Sequence, residues 1–299
     1  MVWDGLLLID KPAGITSFEV VRRARRALEV KKVGHLGTLD PFATGLLPLA
    51  LGEATKLAQF LLEETKTYLA VMKLGVETDT QDLTGRITAE SNVLPTPAEV
   101  RRAAAGFVGE IQQVPPRYSA VHHEGQRLYK LARRGEEVEA APRPVVIYRL
   151  EIQEVDLPLV TIKVECSKGT YIRTLAHDLG RALGCGAHLT ALIRLAVGPF
   201  RLEEAVPLEV VEKTENIEDI HRRLIPLAQC LPRYQAVRVD RQEAQRLTQG
   251  QAVPWPEPGP AAGERVRVLT DGSLVAVAAV RFQGANQVLA PVRIFHNSC

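Results

Sequence analysis

The stretch GHLGTLDPFATGLLPLALGEATK, residues 34–56, carries the side chain with the most chemical promise in the sequence. Asp40 is a lone carboxylate in a tight, apolar loop, set between Leu39 and Pro41. The residue before a proline is pushed towards extended backbone, so Asp40 does not sit easily inside a helix. A carboxylate in apolar surroundings finds a partner or becomes neutral. The plain reading is an Asx turn, with the side chain bonded to its own backbone. The reading with chemistry is an ionised carboxylate serving as nucleophile or base.

Two further constellations stand out. Residues 117–134 hold Arg117, Arg127, Lys130, Arg133 and Arg134 against one acid, Glu124, with Tyr118, His122, His123 and Tyr129 interleaved. Mixed basic and aromatic residues suit phosphate contacts and base stacking, whereas the plain reading is a solvated amphipathic face. Arg22, Arg23, Arg25, Arg26, Lys31 and Lys32 form a second basic cluster, as readily a solvated helix face as an RNA contact. Asp79 and Asp82 suggest a metal-dependent nuclease only weakly, because no histidine or further acid cluster completes a metal site.

The elements that must position these groups follow from periodicity and punctuation. Residues 6–9 and 46–51 are apolar runs, and 67–74 reads as a strand. Val160, Ile162, Val164 and Cys166 alternate with polar residues, the mark of a half-buried strand. Helices are expected over 17–29, over 96–105 with Pro97 in the first turn, and after Gly169, with Thr170 as cap. Two glycines and a proline make residues 34–41 a loop. Residues 201–230, with seven acids, read as a peripheral connection. From residue 231 the texture changes. Asp240 and Glu243 form a capping-box pair with Gly250 as stop, a hairpin turns at 270–273, and 288–294 is a last strand. Strands often follow strands, which predicts a mixed α+β domain rather than a doubly wound sheet.

Composition limits the classes. The chain has 299 residues, which suggests about two domains, and 46% hydrophobic with 24% charged residues is an ordinary globular mix. A net charge of +2 requires any nucleic-acid surface to come from local clustering. Cys166, Cys185, Cys230 and Cys299 form no CxxC pair, so neither zinc nor a disulfide framework is indicated. No run approaches the length of a membrane helix, and the start MVWDGLLLIDKP does not read as a signal peptide. The expectation is a soluble, cytoplasmic protein.

The motif around Asp40 resembles that of the bacterial tRNA pseudouridine synthase B family, a GHxGTLDPxAxGLLPL segment whose aspartate is catalytic. Further blocks follow in order: Lys11-Pro12-Ala13-Gly14-Ile15-Thr16-Ser17; Lys66-Thr67-Tyr68 with Leu74-Gly75 and Thr78-Asp79-Thr80-Asp82; Tyr118-Ser119-Ala120 with Gly125, Leu128-Tyr129 and Ala132-Arg133; Gly169-Thr170-Tyr171-Ile172-Arg173; and Gly184-Cys185-Gly186-Ala187-His188. The resemblance covers most of residues 5–200.

The resemblance implies an α+β catalytic domain of pseudouridine synthase type over 1–230, with a mixed, largely antiparallel sheet and an RNA-gripping thumb at about 115–143. It implies isomerisation of uridine to pseudouridine in the T-loop of tRNA, at position 55, with Asp40, Tyr68 and Arg173 as catalytic set. Asp40 would attack C1′ or remove the C2′ proton, and the sequence leaves both open. His35 would enter the T-loop, Tyr171 and Leu192 would line the pocket, and Lys11, from the N-terminal signature, would also contact the substrate. Neither cofactor nor metal is implied, nor an obligate protein partner, and the expected state is a monomer gripping the T-arm and acceptor region of tRNA. Residues 231–299 resemble the small PUA domain appended to many RNA-modifying enzymes. The competing readings are a guide-RNA-dependent, dyskerin-like synthase subunit and a tRNA-folding chaperone without chemistry. The long basic segment argues against the first and the catalytic set against the second.

Overall fold

The apolar runs of the sequence become neighbouring strands. The computed structural model describes residues 1–119, 121–123, 125–128, 131, 134, 136, 140–255, 261–284 and 286–296. In chain order its first half contains β1 (Gly5–Lys11), α1 (Ser17–Ala27), β2 (Val33–His35), β3 (Thr44–Leu51), α2 (Ala58–Leu61), β4 (Lys66–Leu74), β5 (Val76–Thr78), β6 (Ile87–Glu90), α3 (Pro97–Ala105), β7 (Gly109–Gln113), β8 (His122–His123) and β9 (Gln126–Arg127). The second half begins with β10 (Arg143–Asp156), β11 (Leu159–Cys166), α4 (Ile172–Ala182) and β12 (Ala187–Val197). Then come β13 (Phe200–Arg201), β14 (Val206–Pro207), α5 (Leu208–Lys213), α6 (Ile217–His221) and β15 (Ile225–Pro226).

Among the described residues β5 with β6 and β8 with β9 form separate two-stranded sheets, while the other eleven of these strands make one sheet, with the order β14-β1-β3-β12-β4-β11-β10-β7 and β2, β13 and β15 paired alongside. Its pairs are antiparallel except β1–β14 and β3–β12, the mixed, largely antiparallel sheet expected. The β3–β12 seam is short, matching Ile193 with Thr44 and Arg194 with Gly45. A Cβ on Gly45, whose φ is +97°, would lie 2.5 Å from the Arg194 carbonyl oxygen. Only glycine lets the two strands approach this closely.

Helices α1 and α4 supply buried faces, Val20, Val21 and Ala24 from one and Ile172, Leu175, Ala176 and Leu179 from the other, to a core shared with β1, β3, β4 and β12. Thr16 Oγ1 caps α1 by accepting from Glu19 N at 3.0 Å, and Thr96 with Glu99 closes a capping box on α3.

Three expectations change. Tyr171, not Thr170, stands at the N-cap of α4; the Thr170 hydroxyl instead donates to Ser167 O at 3.0 Å. The loop over 34–41 loses its first two residues to β2, which pairs with Leu49–Leu51 of β3, and stays irregular over 36–41. Residues 201–230 are not peripheral. β14 extends the sheet beside β1, and Leu208, Val211 and Ile220 are core residues. Leu208 and Val211 share one helix face, so the acids simply occupy the outer one.

The C-terminal segment forms β16 (Gln235–Arg238), α7 (Arg241–Thr248), β17 (Val253–Pro254), β18 (Arg265–Thr270), β19 (Ser273–Gln283) and β20 (Asn286–Ile294). These strands make a 5-stranded sheet, β16-β18-β19-β20-β17. The capping box of Asp240 and Glu243 starts α7, and Gly250, at φ +84°, follows it. The sheet has its own apolar cluster, including Val237, Leu247, Val266, Ala276 and Leu289. Leu274, Val277 and Phe295 belong instead to a cluster with Leu46, Leu57, Phe60 and Leu61, which joins the two sheets.

Candidate active site

Asp40 lies in the arch between β2 and β3, and the backbone of that arch is held from several sides. The Ser17 hydroxyl accepts from Leu39 N at 2.8 Å and donates to Leu39 O at 3.1 Å. Lys11 is fully buried; its Nζ donates to Ala43 O at 2.7 Å and Pro41 O at 3.2 Å. Gly14 N donates to Pro41 O at 2.8 Å, and Ala43 N to Asp40 O at 3.1 Å. Arg194, from β12, donates to Leu46 O at 2.7 Å, Gly37 O at 3.1 Å and Thr38 O at 3.3 Å. Burial pushes the Lys11 ammonium down to about 8, against the pull of Asp40.

The carboxylate itself meets Arg173. Nη2 of Arg173 donates to Asp40 Oδ1 at 3.1 Å, and Nε lies 2.9 Å from Oδ2. Arg173 is 3% exposed, so the alternative of a surface arginine in a first helical turn is excluded. The same guanidinium donates to Thr80 O and Tyr118 O, each at 3.0 Å, and stands 3.5 Å from Asp82 Oδ2. Asp82, 4% exposed, is fixed through Oδ1 by Thr80 Oγ1 at 2.7 Å, Thr84 N at 2.9 Å and Thr84 Oγ1 at 2.6 Å. One buried cation therefore serves two carboxylates. The Asp40 side chain keeps 30% exposure, an open edge for a substrate atom. Burial pushes its carboxyl above the usual aspartate range; Arg173 pulls it back and the Asp82 charge pushes it further up.

Tyr68 stands on the inward face of β4, in register with Arg194. Burial pushes its phenol up while Arg194 pulls it down. Tyr171 is fixed through its backbone: its N donates to Gln113 Oε1 at 3.0 Å, and Gln113 Nε2 donates to its O at 3.2 Å. Its phenol is also pushed up by burial, against the Ser119 hydroxyl and Arg173. A carboxylate, a guanidinium, one buried phenol and one half-buried phenol thus share one site.

Comparison with known proteins gives this site a family. The description "TruB family pseudouridylate synthase (N terminal domain)" fits residues 25–172, "tRNA pseudouridylate synthase B C-terminal domain" fits 173–231, and "Pseudouridine synthase II TruB, C-terminal" fits 236–295. A tRNA pseudouridine synthase B from Burkholderia pseudomallei (strain 668) is 48% identical over 97% of this chain and 96% of its own. One from Geobacter sulfurreducens is 46% identical over 92% of this chain and 93% of its own. The chain belongs to the TruB family of pseudouridylate synthases. Among solved structures, a chain of a Cbf5-Nop10-Gar1 complex matches with TM-score 0.77 and 29% identity, over 98% of this chain and 85% of that one. A chain of an H/ACA RNP bound to a substrate RNA containing 2′-deoxyuridine matches with TM-score 0.76 and 27% identity, over 99% and 86%.

In this TruB chain Asp40 falls in the first family segment and Arg173 opens the second, so their ion pair closes 133 residues of sequence. Leu192, from β12, is buried in the core cluster that also holds Tyr68. His35 is half-buried, with Nδ1 lacking a partner among the described residues; burial and Arg194 push its pKa down, favouring the neutral imidazole.

Of the basic segment, Tyr118 reaches the site, its carbonyl accepting from Arg173 at 3.0 Å. Arg117 is exposed, and Arg134 bonds to Gln126 and stands 3.5 Å from Glu136. Lys130, Arg133 and the Arg127 side chain lie outside the described residues. In the second cluster, Arg22 and Arg23 both pair with Glu19. Asp79 accepts from Arg86 N at 2.8 Å, an internal turn bond, and Asp82 faces Arg173, so the pair does not read as a metal site.

Sequence reasoning gave Arg194, Ser17 and Gln113 no role. For Arg194 a signal existed: it shares the inward parity of Leu192 and Ala196 in an apolar strand, where a charge is out of place.

Proposed function

We propose that this chain isomerises uridine to pseudouridine in the T-loop of tRNA, at position 55, with Asp40 as the reactive carboxylate. The observation that carries the reading is the Asp40–Arg173 ion pair, with a buried cation and an accessible carboxylate edge, in a member of a pseudouridylate synthase family. The reaction breaks the N1–C1′ bond, turns the uracil and rejoins it through C5, with loss of the C5 proton through a base and gain of a proton at N1. It has no redox change and no group donor, so it calls for no cofactor or metal. The ionised Asp40 attacks C1′ or removes the C2′ proton, chemistry akin to carboxylate-assisted glycoside cleavage. Arg173 holds that charge against the cost of burial.

Tyr68 stacks on the target base, and Tyr171 and Leu192 line its pocket. A base inside a folded loop must be flipped out to reach such a site, and His35 is the wedge that displaces it. Lys11 holds the arch rather than the base, as its carbonyl partners support. Residues 1–230 form the catalytic domain and 231–299 a PUA-like domain that grips the acceptor region. The segment 115–143, with Arg117, Arg127, Lys130, Arg133 and Arg134, closes as a thumb over the T-arm. The enzyme works as a cytoplasmic monomer without an obligate protein partner. Among the described residues no helix is long and apolar enough to cross a membrane.

The likeness to a chain of an H/ACA RNP favours a second reading, catalysis directed by a guide RNA. Full-length likeness to tRNA pseudouridine synthase B proteins weighs more. One assay separates them: purified protein is incubated with unmodified tRNA transcript alone, and pseudouridine is mapped at single-nucleotide resolution. Conversion at position 55 is expected. No conversion until a guide RNA is supplied would establish the second reading.

A further inference from the structure

Arg194 is a side chain for which the reaction outlined above has no assigned use. It is 1% exposed and sits in β12, in register with Gly45 of β3 and Tyr68 of β4. Its three hydrogen-bond acceptors are carbonyl oxygens, and they lie on both limbs of the arch that carries Asp40. Nη2 and Nη1 reach Gly37 O and Thr38 O before the aspartate, at 3.1 and 3.3 Å; Nε reaches Leu46 O after it, at 2.7 Å. A planar guanidinium has its donors in a fixed fork, so these bonds set the separation of the limbs as well as holding them. The backbone leaves room for nothing else: a Cβ on Gly45 would meet Arg194 O and N at 2.5 and 2.8 Å.

The choice of residue is telling. A buried cation is expensive to desolvate, and an apolar side chain would fill the seam without that cost. An apolar side chain would also remove these donors from two loop carbonyls and one of β3, and leave the arch without a span. On the reading that Asp40 is the reactive carboxylate, we infer that Arg194 is a positioning residue for the reaction, fixing the Asp40 arch relative to Tyr68 across the β3–β12–β4 seam. Arg194 acts through these groups rather than on the substrate. Its charge also pulls the Tyr68 phenol down against the effect of burial.

The test compares wild type with Arg194→Lys, Arg194→Met and Asp40→Asn, using unmodified tRNA transcript. Thermal melting and near-UV circular dichroism give the folded fraction, filter binding gives tRNA affinity, and single-turnover kinetics at saturating tRNA give the rate per folded molecule. Lysine keeps the charge but cannot span both limbs. Arg194→Lys is therefore expected to bind tRNA like wild type and to react about a hundredfold more slowly, the usual loss for misplacement by about 1 Å. Arg194→Met should be at least as slow. A wild-type rate per folded molecule in Arg194→Lys, with only the melting temperature lowered, would overturn the inference and leave Arg194 a core residue. Loss of folding in both Arg194 variants would overturn it equally. If Asp40→Asn turned over at the wild-type rate, the catalytic reading itself would fail, whatever the Arg194 variants did.

Discussion

The arch around Asp40 and the junction between the two sheets are both buried, and they are held by different physics. At the arch the chain is pinned by directional bonds: Lys11 and Arg194 donate to carbonyl oxygens, and Ser17 bonds Leu39 on both its N–H and its carbonyl. At the junction the buried contact is mainly apolar packing among Leu46, Leu57, Phe60, Leu274, Val277 and Phe295, with Arg265 on Phe60 at 5.3 Å and polar contacts at its edge, Lys56 Nζ donating to Ile294 O at 3.2 Å and His296 N to Glu53 Oε2 at 2.9 Å. Apolar packing tolerates exchange of shape if volume is kept. A buried polar network does not, because removing any one partner strands a desolvated group. Damage at the arch should therefore appear in the reaction rate, and damage at the junction in stability.

The largest effect that would sharpen this contrast is at Arg173. Arg173→Lys keeps the charge but loses the guanidinium's hydrogen bond to Asp40 and its bonds to Thr80 and Tyr118. A fall of about 10²–10³-fold in single-turnover rate is expected, with tRNA affinity unchanged. A rate near wild type would show that the ion pair is structural only.

The acid side of the pH–rate profile provides a second check. On the proposed mechanism the reaction uses the ionised Asp40, whose carboxyl is raised above 3.8 by burial. The rate should therefore fall as pH falls through that raised value, so the acid limb lies above the range of an ordinary aspartate. Arg173→Met removes the cation that pulls the pKa down and should move the limb further up. An acid limb at or below pH 3.8 would contradict the burial argument.

At the junction, Phe60→Ala should lower stability by about 3–5 kcal/mol, the usual cost of emptying a buried aromatic site, while the rate per folded molecule stays at the wild-type level. Urea unfolding and single-turnover kinetics measure the two separately. A rate loss larger than the stability loss would erase the contrast. The smallest expected effect is in the basic segment. Replacing Arg127, Lys130, Arg133 and Arg134 with Gln should flatten the salt dependence of tRNA binding, by about 0.7–0.9 in log–log slope for each phosphate no longer neutralised. An unchanged slope would make that segment a solvated face.

Elements with local signals were legible in the sequence. Strand alternation located β11, Pro97 marked the first turn of α3, and Asp240 with Glu243 announced α7. Asp40, Tyr68 and Arg173 were legible through the resemblance of their motifs; their types and spacing alone left the plain readings open. What stayed hidden has no local period. The bonds of Arg194 close 148 to 157 residues of sequence. Ser17 looked like the first residue of a helix, while its decisive partner, Leu39, is 22 residues away. The acids of 201–230 masked the apolar face of α5, because composition averages over a helix and packing does not.

The most direct test of the central claim is Asp40→Asn, which keeps the shape of the side chain and removes its charge. Folded fraction, tRNA affinity and single-turnover pseudouridine formation are measured on one preparation. The expected result is wild-type folding and tRNA binding, with the rate reduced by about 10⁴-fold or more, as for loss of a reactive group. A folded Asp40→Asn protein that still converted position 55 at a rate within tenfold of wild type would show that the reaction runs on another group.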